Sequence, residues 1–248
     1  PGYQVHRNRL VGATPAATRL RGSALLIFAA AFTATLDRFS IAPVLFPVAR
    51  DLRTPLATML AMASIYYLGY GLMQPLWGLL SDRFGRLTVM RLGLGGGAVA
   101  GLASAVAPNA GSIIVARALS GAFFAAVFPA SLVYIGDVFA LARRQAVIAD
   151  LLAATAIGTA VGSLGAGLLA QYATWRLAFA VPAVLAATLA VVLRRLPEPA
   201  REGLALGALE RLRVVAGSRW AVYVVLLGFG EGAIMFGLLT YFAPALEA

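Results

Sequence analysis

Four ionisable residues stand inside long apolar stretches of this chain. Asp37 and Arg38 interrupt the first stretch, Arg117 the fourth and Glu231 the seventh. A charged group at membrane depth is costly, so such residues are candidates for binding a proton or a substrate. A carboxylate that binds and releases a proton could couple a proton gradient to the movement of a solute. The alternative for each carboxylate is a structural contact within the helix bundle.

Counting along the helices places Asp37 and Arg117 at the same depth. At about 1.5 Å per residue, Asp37 lies about 21 Å from the inner end of its helix. The helix of Arg117 runs the opposite way, and this arginine lies about 20 Å from the inner side of a hydrocarbon core about 30 Å thick. Opposite charges at one depth predict an ion pair between two helices. Arg38 points about 100° away from Asp37, either outward, toward another partner or toward a cavity.

Glu231 is the second carboxylate that we predict to bind a proton or a cationic substrate. It lies about 16 Å into the last apolar stretch, near the middle of the membrane. The alternative is a neutral or hydrogen-bonded carboxyl group inside the bundle.

Seven apolar runs must position these residues. A run of about 18 apolar residues is long enough to cross the hydrocarbon core. The predicted spans are 24–48, 56–80, 89–107, 112–136, 146–170, 177–194 and 221–245. The composition is 61% hydrophobic and 12% charged, whereas about 25% of the residues in a soluble domain are charged. The sequence therefore predicts an all-α polytopic membrane protein.

The arginines predict how the spans are oriented. With the amino terminus inside, fifteen arginines fall in inner segments and three in outer segments. Because inner loops carry an excess of positive charge, we predict a cytoplasmic amino terminus and a multi-pass protein of a bacterial plasma (inner) membrane. The predicted parts are an amino-terminal tail (1–22), a six-helix bundle (23–195), a cytoplasmic linker (196–219) and a seventh helix (220–248). The linker is either an amphipathic helix on the membrane surface or a tether.

Several function classes lack the residues that they require. The chain has no cysteine, one histidine and no lysine, since all 20 basic residues are arginine. Thiolate and histidine metal sites, a Schiff base and a phosphate-binding loop with lysine are therefore excluded, and we predict no enzyme, metal or cofactor other than a proton gradient. The net charge of +10 does not predict nucleic-acid binding, because the arginines separate apolar spans instead of forming one basic face.

A charged turn between the second and third spans carries a recognisable pattern. It reads Gly78-Leu-Leu-Ser-Asp82-Arg83-Phe-Gly85-Arg86. Gly78 is expected to let another backbone approach closely, and Gly85 to permit a left-handed turn. The pattern resembles the signature loop of the major facilitator superfamily of secondary transporters.

Two further motifs extend this resemblance along the chain. Arg117-Ala-Leu-Ser-Gly121 is similar to the Arg-x-x-x-Gly element of that family, and Trp175-Arg-Leu-Ala-Phe179 is similar to the start of its sixth helix. The resemblance implies a six-helix amino-terminal bundle followed by the first helix of a second bundle. Because the chain begins with proline and ends just after its seventh span, we expect a longer protein with further carboxy-terminal helices.

The resemblance also implies roles for particular residues. Asp137 would pair with Arg86, and Asp82 would face a helix of the second bundle, so that the loop gates the inner side. Glu231 would line the central cavity. Four glycines of the fifth span are predicted to pack against other helices, and they partly match the pattern of exporters. They are Gly158, Gly162, Gly165 and Gly167.

The function that follows is proton-coupled transport by alternating access. Few hydrogen-bonding side chains face the expected cavity, which favours export of varied drugs or small metabolites. The alternative is proton-coupled uptake of a sugar or organic acid, in which Arg117 would bind substrate oxygens. A seven-helix receptor or channel is the alternative outside transporters. The expected partners are the lipid bilayer, a small-molecule substrate and protons.

Overall fold

The fold is a bundle of helices. The computed structural model describes residues 15–199 and, beyond them, 217–223, 226, 227, 230 and 234. Between Pro15 and Arg195 the chain forms eight α-helices and a 3-10 helix. These are α1 (Pro15–Phe39), α2 (Ile41–Asp51), α3 (Leu56–Phe84), α4 (Arg86–Ala105), α5 (Ala110–Phe124), α6 (Val127–Val138), α7 (Leu141–Tyr172), α8 (Trp175–Val192) and the 3-10 helix Leu193–Arg195.

Six helical segments of the described chain are long and apolar enough to cross a membrane. They are Leu20–Phe39, Leu56–Phe84, Arg86–Ala105, Ala110–Val138, Leu141–Tyr172 and Trp175–Arg195. These segments match the first six predicted spans, and the all-α polytopic fold is confirmed. Glu231, most of the predicted seventh span and most of the linker lie outside the described residues.

The first and fourth spans are each broken near the middle, which the sequence analysis does not predict. Helix α1 ends at Phe39 and α2 begins at Ile41. Pro43 has no N–H to donate to the carbonyl oxygen of Phe39, four residues earlier, and this missing bond accounts for the break. Pro129 stands in the same relation to Ala125, the residue that follows α5. Each broken span therefore consists of two shorter helices joined at a bend.

Glycines set the closest contacts between helices. Helix α1 packs along α7, α3 along α5, and α4 along α8. A Cβ atom at Gly158 would lie 2.8 Å from the carbonyl oxygen of Phe32, and one at Gly162 would lie 2.6 Å from that of Leu36. The backbones of α1 and α7 therefore touch along this face. At Gly165 an added Cβ would meet nothing within 4 Å of the described chain, so the packing role of that glycine stays a prediction.

We expect Gly162→Ala to destabilise the bundle. The added methyl group meets backbone, which yields less readily than the end of a side chain, so α1 and α7 must separate. Overpacking of this kind costs about 1–3 kcal/mol. The thermal unfolding midpoint of the purified protein measures the effect. Gly22→Ala makes the same chemical change at an exposed position of α1 with nothing within 4 Å, and we expect it to leave the midpoint unchanged or higher. Equal midpoints for the two variants would contradict the assignment.

Candidate functional site

The candidate site is an ion pair inside the bundle, between α1 and α5. Arg117 Nη1 donates hydrogen bonds to Asp37 Oδ1 at 3.0 Å and to Oδ2 at 3.2 Å. Both side chains are 0% exposed. The depth count places these two residues level with each other, and the structure brings them into direct contact.

Further polar groups complete the hydrogen bonding of the pair. Arg117 Nε donates to Ser104 Oγ on α4 at 2.9 Å, and Nη2 donates to Ser120 Oγ at 2.5 Å. The Tyr66 hydroxyl group on α3 donates to Asp37 Oδ2 at 3.2 Å. A buried ion pair is tolerated only when such additional bonds offset the cost of removing both charges from water. Side chains of α1, α3, α4 and α5 therefore form one network.

An aromatic ring from a further helix covers the arginine. The guanidinium carbon of Arg117 lies 4.3 Å from the ring centroid of Phe179 on α8 and 5.7 Å from that of Tyr66. A cation over an aromatic face is stabilised by the negative charge density of the ring. Five of the described helices thus converge on one guanidinium group.

Gly121 explains how α3 comes so close to the pair. A Cβ atom at Gly121 would overlap the carbonyl oxygen of Tyr66, so the α3 and α5 backbones are in direct contact. Gly121 lies about one helical turn after Arg117. The Arg-x-x-x-Gly spacing therefore places the cation and the close contact on adjacent turns, and it brings the Tyr66 hydroxyl within reach of Asp37.

Arg38 lies beside the pair and contacts α3. Its guanidinium carbon is 5.0 Å from the ring centroid of Tyr70 and 5.2 Å from that of Phe39. Tyr70 in turn stacks on Tyr66, with ring centroids 6.4 Å apart. Arg38 therefore packs against aromatic rings next to the buried network, whereas the sequence leaves its direction open.

At the end of the bundle where α3 turns into α4, Arg86 joins three helices. Arg86 Nη1 lies 2.5 Å from Asp82 Oδ1 at the end of α3, and Nε lies 3.2 Å from Asp137 Oδ2 at the end of α6. Nη1 also donates to Ser81 Oγ at 3.3 Å. The structure therefore brings together the three charged residues to which the resemblance gives gating roles.

Other residues of this loop differ in their surroundings. Gly85 has a φ of 105°, which only glycine adopts readily, and it separates α3 from α4. The exposed Arg83 has its guanidinium carbon 5.4 Å from the ring centroid of Phe84. A Cβ atom at Gly78 would meet nothing within 4 Å of the described chain. Close approach of another backbone at Gly78 therefore stays a prediction.

A glutamate beyond the sixth span is a contact that the sequence does not predict. Glu198 Oε1 accepts from the backbone N–H of Leu87 at 3.1 Å, and Oε2 accepts from that of Thr88 at 3.2 Å. These amides belong to the first turn of α4, where a carboxylate is stabilised by unbonded N–H groups and by the helix dipole. Glu198 therefore binds the same end of α4 at which Arg86 pairs with Asp82 and Asp137.

The Trp-Arg motif fastens the opposite end of the bundle. Asp51 Oδ2, at the end of α2, accepts from Trp175 Nε1 at 3.0 Å and from Arg176 Nη2 at 3.3 Å. Arg176 Nη1 also donates to the carbonyl oxygens of Ala105 and Ala107, at 3.2 and 3.1 Å. The motif therefore ties together α2, α8 and the end of α4.

Comparison with known proteins decides the family. A sequence model described as the Major Facilitator Superfamily matches residues 27–248. The chain belongs to the major facilitator superfamily. The predicted family is thereby confirmed, and so is the prediction that the chain belongs to transporters and not to enzymes.

Relatives within the superfamily carry names of several kinds. The puromycin resistance protein pur8 of Streptomyces alboniger is 33% identical over 180 residues, which are 72% of this chain and 36% of that protein. The multidrug efflux pump LfrA of Mycolicibacterium smegmatis is 33% identical over 157 residues, 62% of this chain and 31% of the pump. A triacylglyceride transporter of the same organism is 30% identical over 174 residues, 70% of this chain and 29% of the transporter. The chain thus spans about a third of the length of these relatives.

Solved structures share the fold. A bacterial homologue of the human lysosomal transporter Spinster, inward-facing and unoccupied, superposes with a TM-score of 0.71 at 19% identity, covering 94% of this chain and 56% of that one. The inward-open xylose transporter XylE from E. coli superposes with a TM-score of 0.63 at 17% identity, covering 84% of this chain and 55% of that one.

We expect Arg86→Ala to open the inner side of this superfamily member. Without the guanidinium group, the carboxylates of Asp82 and Asp137 lose their shared partner and repel each other. Because the chain has no cysteine, a single Val133→Cys on α6 can be labelled with a membrane-impermeant maleimide from the inner side. We expect labelling to rise about two- to fivefold, which is the change in an equilibrium that corresponds to the free energy of a partly exposed ion pair.

Arg143→Ala provides a matched control for this measurement, since Arg143 is an exposed arginine at the inner end of α7. The control should leave labelling of Val133→Cys unchanged. An Arg86→Ala protein with unchanged labelling and full transport would contradict a gating role.

Proposed function

We propose that this chain forms the amino-terminal part of a transporter that exports drugs or other small amphipathic molecules in exchange for protons. The observation that carries the proposal is the fully buried contact between Asp37 and Arg117 within the membrane-spanning part of the bundle. A carboxylate at such a depth is a default candidate for proton binding. The pair also links α1 to α5, so a change in its charge acts on two helices at once.

Protonation of Asp37 would remove the negative charge that holds Arg117. The two side chains would then keep only ordinary hydrogen bonds, and α1 would be less firmly held against α5. The break between α1 and α2 begins three residues after Asp37, where the Ser40 hydroxyl group donates to the Asp37 carbonyl oxygen at 2.7 Å. A bend so close to the proton site gives α2 a hinge about which the outer end can move.

Other observations support the finer parts of the proposal. Two relatives are named a puromycin resistance protein and a multidrug efflux pump, which favours export. The distribution of arginines favours a cytoplasmic amino terminus in a bacterial plasma membrane. In the most apolar part of the α3 and α7 spans only 22% and 17% of the residues are buried, which are the lowest shares among the six spans. These two spans therefore offer the faces against which the remaining helices would pack.

Proton movement in liposomes tests the proposal. The full-length protein is reconstituted, a pH gradient is imposed, and internal pH is followed while cationic drugs, sugars and organic acids are added in turn. We expect the drugs to trigger proton movement and protein-free liposomes to show none. Movement triggered only by sugars or organic acids would replace export with proton-coupled uptake. If no compound triggers proton movement, the result would contradict proton-coupled transport of every compound in the panel.

A further inference from the structure

A groove of about 470 Å³ runs between α4 and α8 near their inner ends. Arg91 and Arg194 form its rim, and its apolar floor includes Gly95 and Gly96. We propose that this groove binds one anionic phospholipid of the inner leaflet, with its phosphate group between the two arginines and an acyl chain across the glycines. The proposal does not depend on the direction or the substrate of transport.

The charge of the rim suits a phosphate group. A guanidinium group donates paired hydrogen bonds to phosphate oxygens, and basic pockets between membrane helices on the cytoplasmic side bind anionic head groups. Arg91 Nη2 donates to Thr88 Oγ1 at 2.8 Å, which fixes its position at the rim. Arg194 is exposed, and Arg195 follows it. Glu198 bonds to the backbone N–H groups of Leu87 and Thr88 and, at 3.5 Å, to Thr88 Oγ1, so two arginines of the rim stand beside one engaged carboxylate.

The floor of the groove is shaped by one glycine that faces outward. A Cβ atom at Gly95 would meet nothing within 4 Å, whereas one at Gly96 would overlap the ring of Phe123. Gly96 therefore packs inward, and the missing side chain at Gly95 leaves the open floor. Leu92 and Val191 border this floor and are 53% and 60% exposed. Exposed apolar side chains on spanning helices are suited to contact with acyl chains.

The arrangement of helices directs this groove toward lipid. Helix α7 packs on α1, α1 on α8, α8 on α4, α4 on α5 and α5 on α3. The two least buried spans, α3 and α7, both pack on α2, whereas α4 and α8 pack mainly on each other, so the α4–α8 groove lies on a different side of the bundle from the pair α3 and α7. The remaining helices of the transporter are proposed to cover α3 and α7, which leaves the α4–α8 groove facing the bilayer.

Lipid titration of the full-length protein tests the proposal. The purified, delipidated protein is titrated with dioleoyl-phosphatidylglycerol or dioleoyl-phosphatidylcholine, and bound lipids are counted by native mass spectrometry. We expect one phosphatidylglycerol to bind more tightly than any phosphatidylcholine. Arg91→Gln and Arg194→Gln should each weaken that binding about fivefold, and together about 25-fold. Arg143→Gln removes an exposed arginine from the inner end of α7 and should leave binding unchanged.

A second pair of variants tests the acyl-chain floor without changing any charge. Gly95→Leu fills the floor and should weaken phosphatidylglycerol binding, whereas Gly22→Leu places the same side chain at an exposed position of α1 with nothing within 4 Å and should not. If another variant fails to fold, phosphatidylglycerol binding by the Arg194→Gln protein alone tests the proposal, because this substitution alters one exposed side chain.

Three results would overturn the proposal. One is equal affinity for the two lipids, and another is wild-type binding of phosphatidylglycerol by the double arginine variant. The third is competition by glycerol phosphate as effective as that of the lipid, which would show a site for free anions.

Discussion

An Asp37→Asn protein is expected to insert into the membrane, to be less stable than the wild type because Arg117 remains as a buried unpaired charge, and to lose uphill transport. Asparagine has nearly the same shape as aspartate, and a carbonyl oxygen in the position of Oδ2 can still accept from Tyr66 and from Arg117 Nη1. It cannot carry a negative charge or bind and release a proton at physiological pH. The coupling between proton binding and substrate movement should therefore be lost. The ratio of substrate concentrations on the two sides of the membrane should fall by about 5- to 150-fold, which is the typical factor by which binding at one coupled site changes affinity at the other.

Asp51→Asn is the matched control for this prediction. Asp51 makes the same kind of contacts, with Trp175 and Arg176, but its side chain is 51% exposed at the outer end of α2. An exposed ion pair contributes about 1 kcal/mol or less, so we expect transport and stability close to those of the wild type. Accumulation of substrate against its gradient by the Asp37→Asn protein would rule out Asp37 as the proton carrier.

The depth of the ion pair follows from the sequence, but its surroundings do not. The rise of an α-helix is fixed, so counting from span ends puts Asp37 and Arg117 level without knowledge of packing. Tyr66 stands in an apolar run that has no helical periodicity to distinguish a buried face from a lipid-facing one. Ser104 follows the glycine-rich stretch 93–101, and a small residue there is expected simply to pack. Which faces of the helices meet depends on contacts between residues far apart in the chain.

Residues in the sequence indicate some helix breaks and helix ends that a search for apolar runs does not find. Pro43 and Pro129 each lack an N–H inside a predicted span, and both helix breaks lie within four residues before them. Helix α7 begins at Leu141, five residues before the predicted start at 146, because a helix can extend past the hydrocarbon core and carry Arg143 and Arg144 in the interface. Glu198 gave no such signal, since its partners on α4 lie more than 100 residues away.

Removal of Arg117 alone should destabilise the protein more than removal of both charges of the pair. Arg117→Met leaves Asp37 as an unpaired charge in a fully buried position, and loss of one partner from such a pair costs about 3–5 kcal/mol. In the double variant Asp37→Asn/Arg117→Met no charge is buried, and methionine fills much of the space of the arginine. We therefore expect the double variant to recover most of the lost thermal stability in a double-mutant cycle with the two single variants.

Transport by the double variant separates the two possible roles of the pair. A contact that only ties α1 to α5 would be replaced by apolar packing, so recovered stability would bring uphill transport back with it. A contact that couples protons to substrate needs the titratable carboxylate, and the double variant would then be stable but unable to accumulate substrate. We expect the second result, because Asp37 is the one carboxylate that the described spans bury completely, and a carboxylate at membrane depth is a default candidate for proton binding.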